Sequence, residues 1–298
     1  MIVVNYNIEY GGYEKHVKYT YYIKLIQDYN IDIFIVCEPN LPKILDVNGI
    51  LSIDYSMYGE NVMKKVVDEL NKLNKIKYYY ISTDNMGISI ISKYPIEKTE
   101  YSFVFNIIYS KINILKLIPI HLYDAPFTFF SLRNIPYHNT PLKFNNIKEI
   151  VDLSYSTKSN EIEKILLYLK NNMNEKIIIS GDFNEPSHLD DINNEWIISK
   201  KFQDLGMIDT YRYINKTIRR DKLGYNIDGA TCCNILLNEE PISRIDFIYV
   251  KNLNIIKSSV LNQYSQMSDH IPVLAELEID DIYKYKYMKY KVKYYKFK

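Results

Sequence analysis

The sequence predicts a single α/β domain built on large β-sheets. Strand-like and helix-like segments follow one another through the first 280 residues, and several strands come in succession, which is typical of an α/β fold. The chain has 298 residues, 47% of them apolar and 24% charged, which is ordinary for a soluble globular protein with a substantial core. We find no internal repeat. Residues 1–280 are therefore assigned to one domain, and residues 281–298 to a separate basic tail.

The expected strands are short apolar or alternating runs bounded by polar turns. The chain begins MIVVNYNIEYGG, which has neither a basic start nor a small-residue cleavage pattern, so it is expected to be the first strand and not a signal peptide. The later strands are DIFIVCE, KYYYIS, GISIISKYP, KINILKLIPIHL, KIIIS, SRIDFIYV and IPVLAELEI.

Apolar residues at helical spacing predict helices over Glu14–Asn30, Asn61–Asn74 and Glu161–Asn172. The stretch from Asp124 to Ser159 is loop-like, and long ordered loops are often functional. No run of 18 apolar residues is present, so no transmembrane helix is expected.

Cysteine usage favours a reducing compartment. The three cysteines have no C-x-x-C spacing and suggest no disulfide framework, so a cytoplasmic location is expected. Tyrosine is abundant, with 30 residues, and we attribute this to a genome rich in A and T, since Ile, Asn and Lys are abundant as well.

The C-terminal tail differs from the rest of the chain. Residues 281–298, DIYKYKYMKYKVKYYKFK, hold seven Lys and one Asp, a net charge of +6, which leaves −5 for the rest of a chain whose total is +1. Two interpretations are open: a solvated extension, or an electrostatic contact with nucleic acid or an anionic surface. Lys-Tyr tails of this kind resemble those on some proteins of giant DNA viruses, and a viral protein would lie in the host cytoplasm.

Polar groups cluster where the predicted strands end. A carboxylate at the end of an apolar strand needs a cation or a metal as its partner, and several strands end this way. Strand ends or flanking turns carry Asn7, Glu9, Glu38, His121, Asp182, Asn184, Asp246, Asp269 and His270.

These residue types suit one reaction. Carboxylates with Asn favour a hard divalent ion such as Mg²⁺ or Mn²⁺, an Asp beside a water can orient or deprotonate it, and histidines can donate hydrogen bonds to a phosphate. No cysteine is placed for thiolate attack, and no G-x-x-x-x-G-K loop is present. The residues therefore indicate metal-assisted hydrolysis of a phosphoester by water.

The motifs N-x-N-I-E-x-G-G, a strand ending in Glu, G-I-S-I-I-S-K-Y-P-I, H-L, G-D-F-N, R-I-D-F-I-Y and S-D-H occur in that order. Over Ile2 to about Ile279 the chain resembles the endonuclease/exonuclease/phosphatase superfamily, the fold of pancreatic deoxyribonuclease. The resemblance implies a DNase I-like four-layer sandwich, with two face-to-face, mostly antiparallel sheets flanked by helices.

The resemblance also implies a role for each site residue. Glu38 is expected to be the principal metal ligand, Glu9 a second one, and Asp269 a support of the metal site. Asp182 would activate the water. The other catalytic residues implied are Asn7 and His121 at the phosphate, Asn184 at the pentacovalent state, Asp246 in the polar network and His270 at the scissile phosphate.

Some positions stay open at the level of sequence. His138 competes with His121 for the histidine role, although His121 is favoured because it ends a strand. His188 is a possible substrate contact, and His138 and Arg133 are further candidates for substrate binding. Lys143, Arg212, Arg219 and Arg220 are additional cations that suit a phosphoester substrate.

Three functions remain under consideration. The first is a metal-dependent nuclease on DNA or RNA, which the basic tail favours. The second is a phosphoesterase for small or lipid phosphoesters, such as inositol phosphates or sphingomyelin. The third is a catalytically silent binding module, against which the retention of the whole residue set argues.

Overall fold

The computed structural model describes residues 1–47, 50–83, 87–111, 113–132, 144, 146–191, 194–220, 228–232 and 243–279. Two of the expected substrate contacts, Arg133 and His138, lie outside these residues, and so does the basic tail. Within the described residues, no helix has the length and apolar character needed to cross a membrane.

The first sheet has six strands in the order β13-β14-β1-β2-β6-β5. Among the described strands of this sheet, β1 and β2 form a parallel pair and the other pairs are antiparallel. The strands are β1 (Ile2–Asn7), β2 (Ile33–Cys37), β5 (Tyr79–Thr83), β6 (Ile88–Ser92), β13 (Asn254–Val260) and β14 (Val273–Glu278).

The second sheet also has six strands, in the order β11-β12-β10-β9-β8-β7. Here β9 and β10 are parallel and the other pairs are antiparallel. The strands are β7 (Ile96–Lys98), β8 (Phe105–Ile108), β9 (Ile114–His121), β10 (Ile177–Asp182), β11 (Ile208–Asp209) and β12 (Asp246–Lys251). A separate hairpin, β3 (Asn40–Val47) and β4 (Ile50–Asn61), follows β2 in the chain.

Helices cover the outer face of each sheet. The described helices are α1 (Glu9–Gly12), α2 (Tyr19–Asp28), α3 (Val62–Leu73), α4 (Thr128–Leu132), α5 (Ile147–Asn171), α6 (Ile197–Asp204) and α7 (Thr210–Ile214). Buried side chains of α2 and α3 pack against the first sheet, and those of α5 and α6 against the second.

Strand alternation separates the apolar residues that face the helices from those that face the other sheet. Val4 and Tyr6 of β1 point to the helices, whereas Val3 points to the other sheet and packs in a core that also contains Ile178 and Ile248. This inter-sheet core completes a sequence of four layers, helix, sheet, sheet and helix, and the predicted fold class is confirmed. By the same alternation, Asn5 and Asn7 lie on the inter-sheet face of β1 with Val3.

Two sequence expectations need correction. The stretch Asp124–Ser159 was expected to be loop-like, but it contains α4 and the first half of α5, which begins at Ile147. The side chain of Asn146 accepts a hydrogen bond of 3.0 Å from the backbone N–H of Glu149 and so caps this helix. In addition, Cys37 is a free buried thiol, but Cys232 is disulfide-bonded, contrary to the expectation.

Candidate active site

The strand ends of both sheets meet at one edge of the sandwich. In the second sheet, Asp182 at the end of β10 pairs with His121 of β9 on one side and with Asp246 of β12 on the other. In the first sheet, Asn7 at the end of β1 pairs with Cys37 at the end of β2, and Glu38 directly follows Cys37 in the chain. The fold therefore gathers residues that are far apart in the chain, as expected from the sequence.

Asp182 is the buried centre of this edge, with 1% of its surface exposed. Its Oδ2 accepts a hydrogen bond of 3.0 Å from the side-chain amide of Asn7, and its Oδ1 accepts one of 2.8 Å from the backbone N–H of Asn184. Burial, followed by the charge of Asp246, raises the pKa of Asp182 to about 6. A carboxylate held in this way is suited to receive a proton near neutral pH.

His270 and Asp246 form a second buried pair. Nδ1 of His270 lies 2.7 Å from Oδ2 of Asp246, and Nε2 of His270 lies 3.8 Å from Oδ2 of Asp182. Burial lowers the pKa of His270, but the surrounding carboxylates, Asp246 first, raise it well above its ordinary value. The imidazolium is therefore favoured, and its Nε2–H is available to a phosphate oxygen.

Glu38 lies at the exposed side of the same cluster. Its Oε1 accepts a hydrogen bond of 2.9 Å from the amide of Asn7 and lies 3.5 Å from Nε2 of His121. Glu38, Glu9 and Asn184 all have positive φ angles, of 55°, 44° and 49°. Non-glycine residues rarely adopt this conformation, and such strain often occurs at functional sites.

Glu9 and Asp269 bring further negative charge to this side. Burial, followed by the charge of Asp269, raises the pKa of Glu9 to about 7. The pKa of Asp269 is raised by burial and by Glu38. Oε2 of Glu9 is also a buried atom that has no hydrogen-bond partner among the described residues. Repelling carboxylates with an unsatisfied oxygen fit a hard divalent cation, which takes oxygen ligands.

A second set of atoms also has the character of a metal site. Asp182, Asp246 and His270 each offer one ligand-type atom, and these atoms lie within 4.8 Å of one another. In this set, however, Nδ1 of His270 is already engaged by Asp246. Oε2 of Glu9, in contrast, has no hydrogen-bond partner among the described residues, so Glu9 and the neighbouring carboxylates Glu38 and Asp269 are the better candidates for a cation.

Gly181 makes the close approach of β9 and β10 possible. Its φ is 154°, and a Cβ built at this position would lie 1.6 Å from the carbonyl oxygen of Ile120. A side chain is therefore excluded directly before Asp182. This steric restriction explains why the first position of the G-D-F-N motif is a glycine in this fold.

Two of the predicted site residues have additional or different contacts. Nδ2 of Asn184 donates a hydrogen bond of 2.9 Å to the carbonyl of Leu122, which ties the loop after β10 to the loop after β9. The ring nitrogens of His188 contact Ser199 and Gln203 of α6. His188 also lines a cavity of about 550 Å³ beside α6 and α7, and none of its hydrogen bonds joins it to the Asp182 cluster.

Two more buried polar residues, Asn5 and Thr231, lie at the site. Nδ2 of Asn5 lies 3.4 Å from Asp246, and the hydroxyl of Thr231 accepts hydrogen bonds from the backbone N–H groups of Ile245 and Asp246. Asn5 was detectable, because the N-x-N pattern places it on the same face of β1 as Asn7. No local pattern in the sequence connects Thr231 to β12.

The two stacked sheets and the polar cluster at their common edge define a DNase I-like hydrolase fold. Residues 4–270 match the model of the Endonuclease/Exonuclease/phosphatase family, and this chain belongs to that family. It is therefore a metal-dependent phosphoester hydrolase, a nuclease or a phosphatase, like the members of the family. No curated protein sequence matches the chain.

Solved structures show the same fold at low sequence identity. An endonuclease/exonuclease/phosphatase family protein from Leptotrichia buccalis is 18% identical, with a TM-score of 0.54, over 94% of this chain and 100% of that one. The 3′ phosphatase NExo from Neisseria, bound to a product DNA hairpin, is 14% identical, with a TM-score of 0.52 and the same two coverages. The mannosyl-6-phosphatase Bt3783 from Bacteroides thetaiotaomicron is also 14% identical, with a TM-score of 0.53 and again these coverages.

Proposed function

We propose that this protein is a nuclease, a phosphodiesterase that hydrolyses DNA or RNA with Mg²⁺ or Mn²⁺. The observation that supports this chemistry is the position of Asp182. Asn7 and the backbone N–H of Asn184 each fix one of its carboxylate oxygens, and its Oδ2 lies within 4 Å of Nε2 of His270. A carboxylate that accepts a proton thus lies beside a cationic donor, which is the arrangement that hydrolysis by water requires.

In this proposal, the attacking water is oriented by Asp182, which takes its proton as the oxygen adds to phosphorus. The bond from phosphorus to the leaving oxygen then breaks, and the leaving oxygen takes a proton from solvent water. His270 donates a hydrogen bond from Nε2 to the phosphate as its charge grows, and Asp246 holds the ring through Nδ1. Asn7 and Asn184 hold Asp182, and Asn184 also stabilises the pentacovalent phosphate.

The cation is assigned to Glu38, Glu9 and Asp269. When bound, it supplies positive charge to the phosphate oxygens. Without it, burial and the neighbouring carboxylates raise the pKa of Glu9 and of Asp269. His121 lies 3.5 Å from Glu38, so it is placed to donate a hydrogen bond to a substrate phosphate at the same site.

Nucleic acid is favoured as the substrate by the basic tail, whose net charge of +6 suits a polyanion. The DNA hairpin held by the Neisseria 3′ phosphatase is consistent with this choice. We propose that residues 281–298 contact the phosphate backbone of the nucleic acid outside the active site. Arg133 and His138 remain candidate substrate contacts.

A second candidate is a phosphoesterase for small or lipid phosphoesters. The observation that favours it is the negative charge beside His121, where Asp124 and Glu161 join Glu38. Such charge opposes a long polyanion but not a single phosphate group. The mannosyl-6-phosphatase from Bacteroides thetaiotaomicron has the same fold.

Turnover on three substrates tests these candidates. A duplex with one abasic site, single-stranded DNA and a small phosphodiester with a chromogenic leaving group would each be incubated with Mg²⁺ or Mn²⁺, with EDTA as the blank. Cleavage of DNA supports the nuclease. Cleavage of only the small diester contradicts it and supports the second candidate. Absence of turnover on all three, together with cation binding, would favour a binding module or a different phosphoester.

A further inference from the structure

Helix α5 carries a buried lysine that none of the proposed catalytic steps uses. Lys158 is 2% exposed, and it lies one turn after Ser154, which is fully buried. A lysine is rarely buried to this extent unless its ammonium group is paired.

The ammonium group of Lys158 contacts one loop directly and is connected to a second loop through Ser154. It donates hydrogen bonds of 2.9 Å to Oγ of Ser154 and 3.1 Å to the carbonyl of Ala125. Oγ of Ser154 in turn donates a hydrogen bond of 2.7 Å to Oε2 of Glu185. The serine hydroxyl thus lies between a buried cation and a buried carboxylate.

Both loops begin at the active site. Ala125 lies four residues after His121, which ends β9, and Glu185 lies three residues after Asp182, which ends β10. A hydrogen bond of 3.2 Å from the hydroxyl of Thr128 to the carbonyl of Asn184 joins the same two loops. The lysine is therefore connected to each loop a few residues beyond its site residue.

Charge and burial support a coupled pair. Glu185 is 2% exposed, and burial raises its pKa to about 7, while the charge of Lys158 opposes this effect. Burial lowers the pKa of Lys158, while the charges of Glu185, Asp182 and Asp124 oppose that shift. Each group is therefore costly to bury without the other.

We infer that Lys158 is a positioning residue for phosphoester hydrolysis, acting through Ser154 and Glu185 on the loop of Asp182 and through Ala125 on the loop of His121. This inference rests on the proposed function. Lys158 does not touch the reacting atoms. Its role is to keep the carboxylate that receives the proton and the histidine beside Glu38 at a fixed separation.

The test compares Lys158→Met with Lys170→Met, a matched change on the exposed side of the same helix. Steady-state kinetics on the substrate that the wild type cleaves best would give kcat and KM. A misplacement of about 1 Å costs about 10²-fold in rate, so we expect kcat to fall by about this factor in Lys158→Met with KM nearly unchanged. Lys170→Met should match the wild type.

Two further variants separate positioning from general stability. Ser154→Ala removes the bridge but keeps the lysine, and it should lower kcat as well; it decides the question if Lys158→Met does not fold. The double variant Lys158→Met/Glu185→Gln should be no slower than Lys158→Met alone, because the two residues act as one unit. Wild-type kcat in a folded Lys158→Met, or additive losses in the double variant, would overturn the inference.

Hydrogen exchange followed by mass spectrometry gives a readout that needs no substrate. In Lys158→Met, residues 120–128 and 182–190 should exchange faster, while β1 and β14 should not change. Uniform or unchanged exchange would contradict the inference. If the wild type cleaves no phosphoester, the proposed function is wrong, and the exchange pattern alone then decides whether Lys158 positions the two loops.

Discussion

The side-chain amide of Asn7 donates a hydrogen bond of 3.0 Å to Oδ2 of Asp182 across the boundary between the two sheets. The same nitrogen lies 2.9 Å from Oε1 of Glu38. One amide therefore joins the carboxylate assigned to the water with the carboxylate assigned to the cation. Variants of Asp182 and of Glu38 should therefore have different effects.

Replacing Asp182 by Asn should abolish most of the turnover and leave the fold intact. The variant keeps the size of the side chain but loses the charge that orients and deprotonates the water. The expected loss in kcat is about 10²- to 10⁴-fold, the usual contribution of a general base. Asp204→Asn, at an exposed position of α6, is the matched control. Wild-type turnover in Asp182→Asn would refute the assignment.

Replacing Asp246 by Asn should shift the alkaline side of the pH–rate profile to lower pH. Burial lowers the pKa of His270 and Asp246 raises it, so removing this charge lets the pKa fall. A protonated His270 is then lost at a lower pH, and kcat falls there. The measurement is kcat against pH for both proteins. An unchanged alkaline limb would show that His270 does not act as the cation.

Replacing Glu38 by Gln should weaken cation binding. In the wild type, Mg²⁺ or Mn²⁺ should raise the melting temperature because the ion binds the folded state and relieves the repulsion among Glu9, Glu38 and Asp269. The rise should be much smaller in Glu38→Gln. If Glu38→Gln keeps the full rise and Asp246→Asn loses it, the cation belongs instead to Asp182, Asp246 and His270.

Replacing Glu185 by Gln should make stability less dependent on pH. The pKa of Glu185 is about 7 in the folded state, against 4.5 as its ordinary value, so the folded state binds this proton more tightly. The protonated carboxyl group therefore stabilises the folded state by on the order of 3 kcal/mol below pH 4.5, and this contribution is lost as the pH rises through about 7. Denaturant unfolding at pH 5 and pH 8 measures it. The wild type should lose more stability than Glu185→Gln between these values, and equal losses would contradict the burial argument.

Deleting residues 282–298 should weaken DNA binding without changing phosphoester hydrolysis at the active site. Turnover of a small phosphodiester should not change, because no proposed catalytic residue is removed. Binding to DNA should weaken, and its dependence on salt should become less steep, because the deletion removes seven lysines. The measurement is DNA affinity against salt concentration. Unchanged affinity and slope would leave the tail without a role in nucleic-acid binding.

Much of the fold could be predicted from the sequence because its strands are strongly apolar and its longest patterns are regular. The helix expected over Asn61–Asn74 occurs as α3, with Asn61 as its cap. The start of α5 was missed because Ser154 and Lys158, two of its buried residues, are polar. The Asn146–Glu149 spacing was a usable signal for a helix start. The β3–β4 hairpin was also missed.

The candidate site was predictable to the extent that its residues end strands. Asn7, Asp182 and Asp246 could be grouped because strand ends meet at one edge of a sheet. Lys158 could not be placed in this way, since it lies in the middle of a helix and acts through tertiary contacts. Thr231 could not be placed in this way either, because its hydroxyl accepts hydrogen bonds from the backbone N–H groups of Ile245 and Asp246, which are distant from it in the chain.

The two sheets contribute unlike halves to the site. Glu9 and Glu38 follow strands of the first sheet and Asp269 precedes another, whereas His121, Asp182 and Asp246 belong to strands of the second. The spacing between the two halves is therefore set by apolar residues such as Val3 and Ile178, which pack between the sheets. Loss of a methyl group from that layer should therefore shift the site residues of one sheet relative to those of the other. The inter-sheet core therefore determines the geometry of the active site and also contributes to stability.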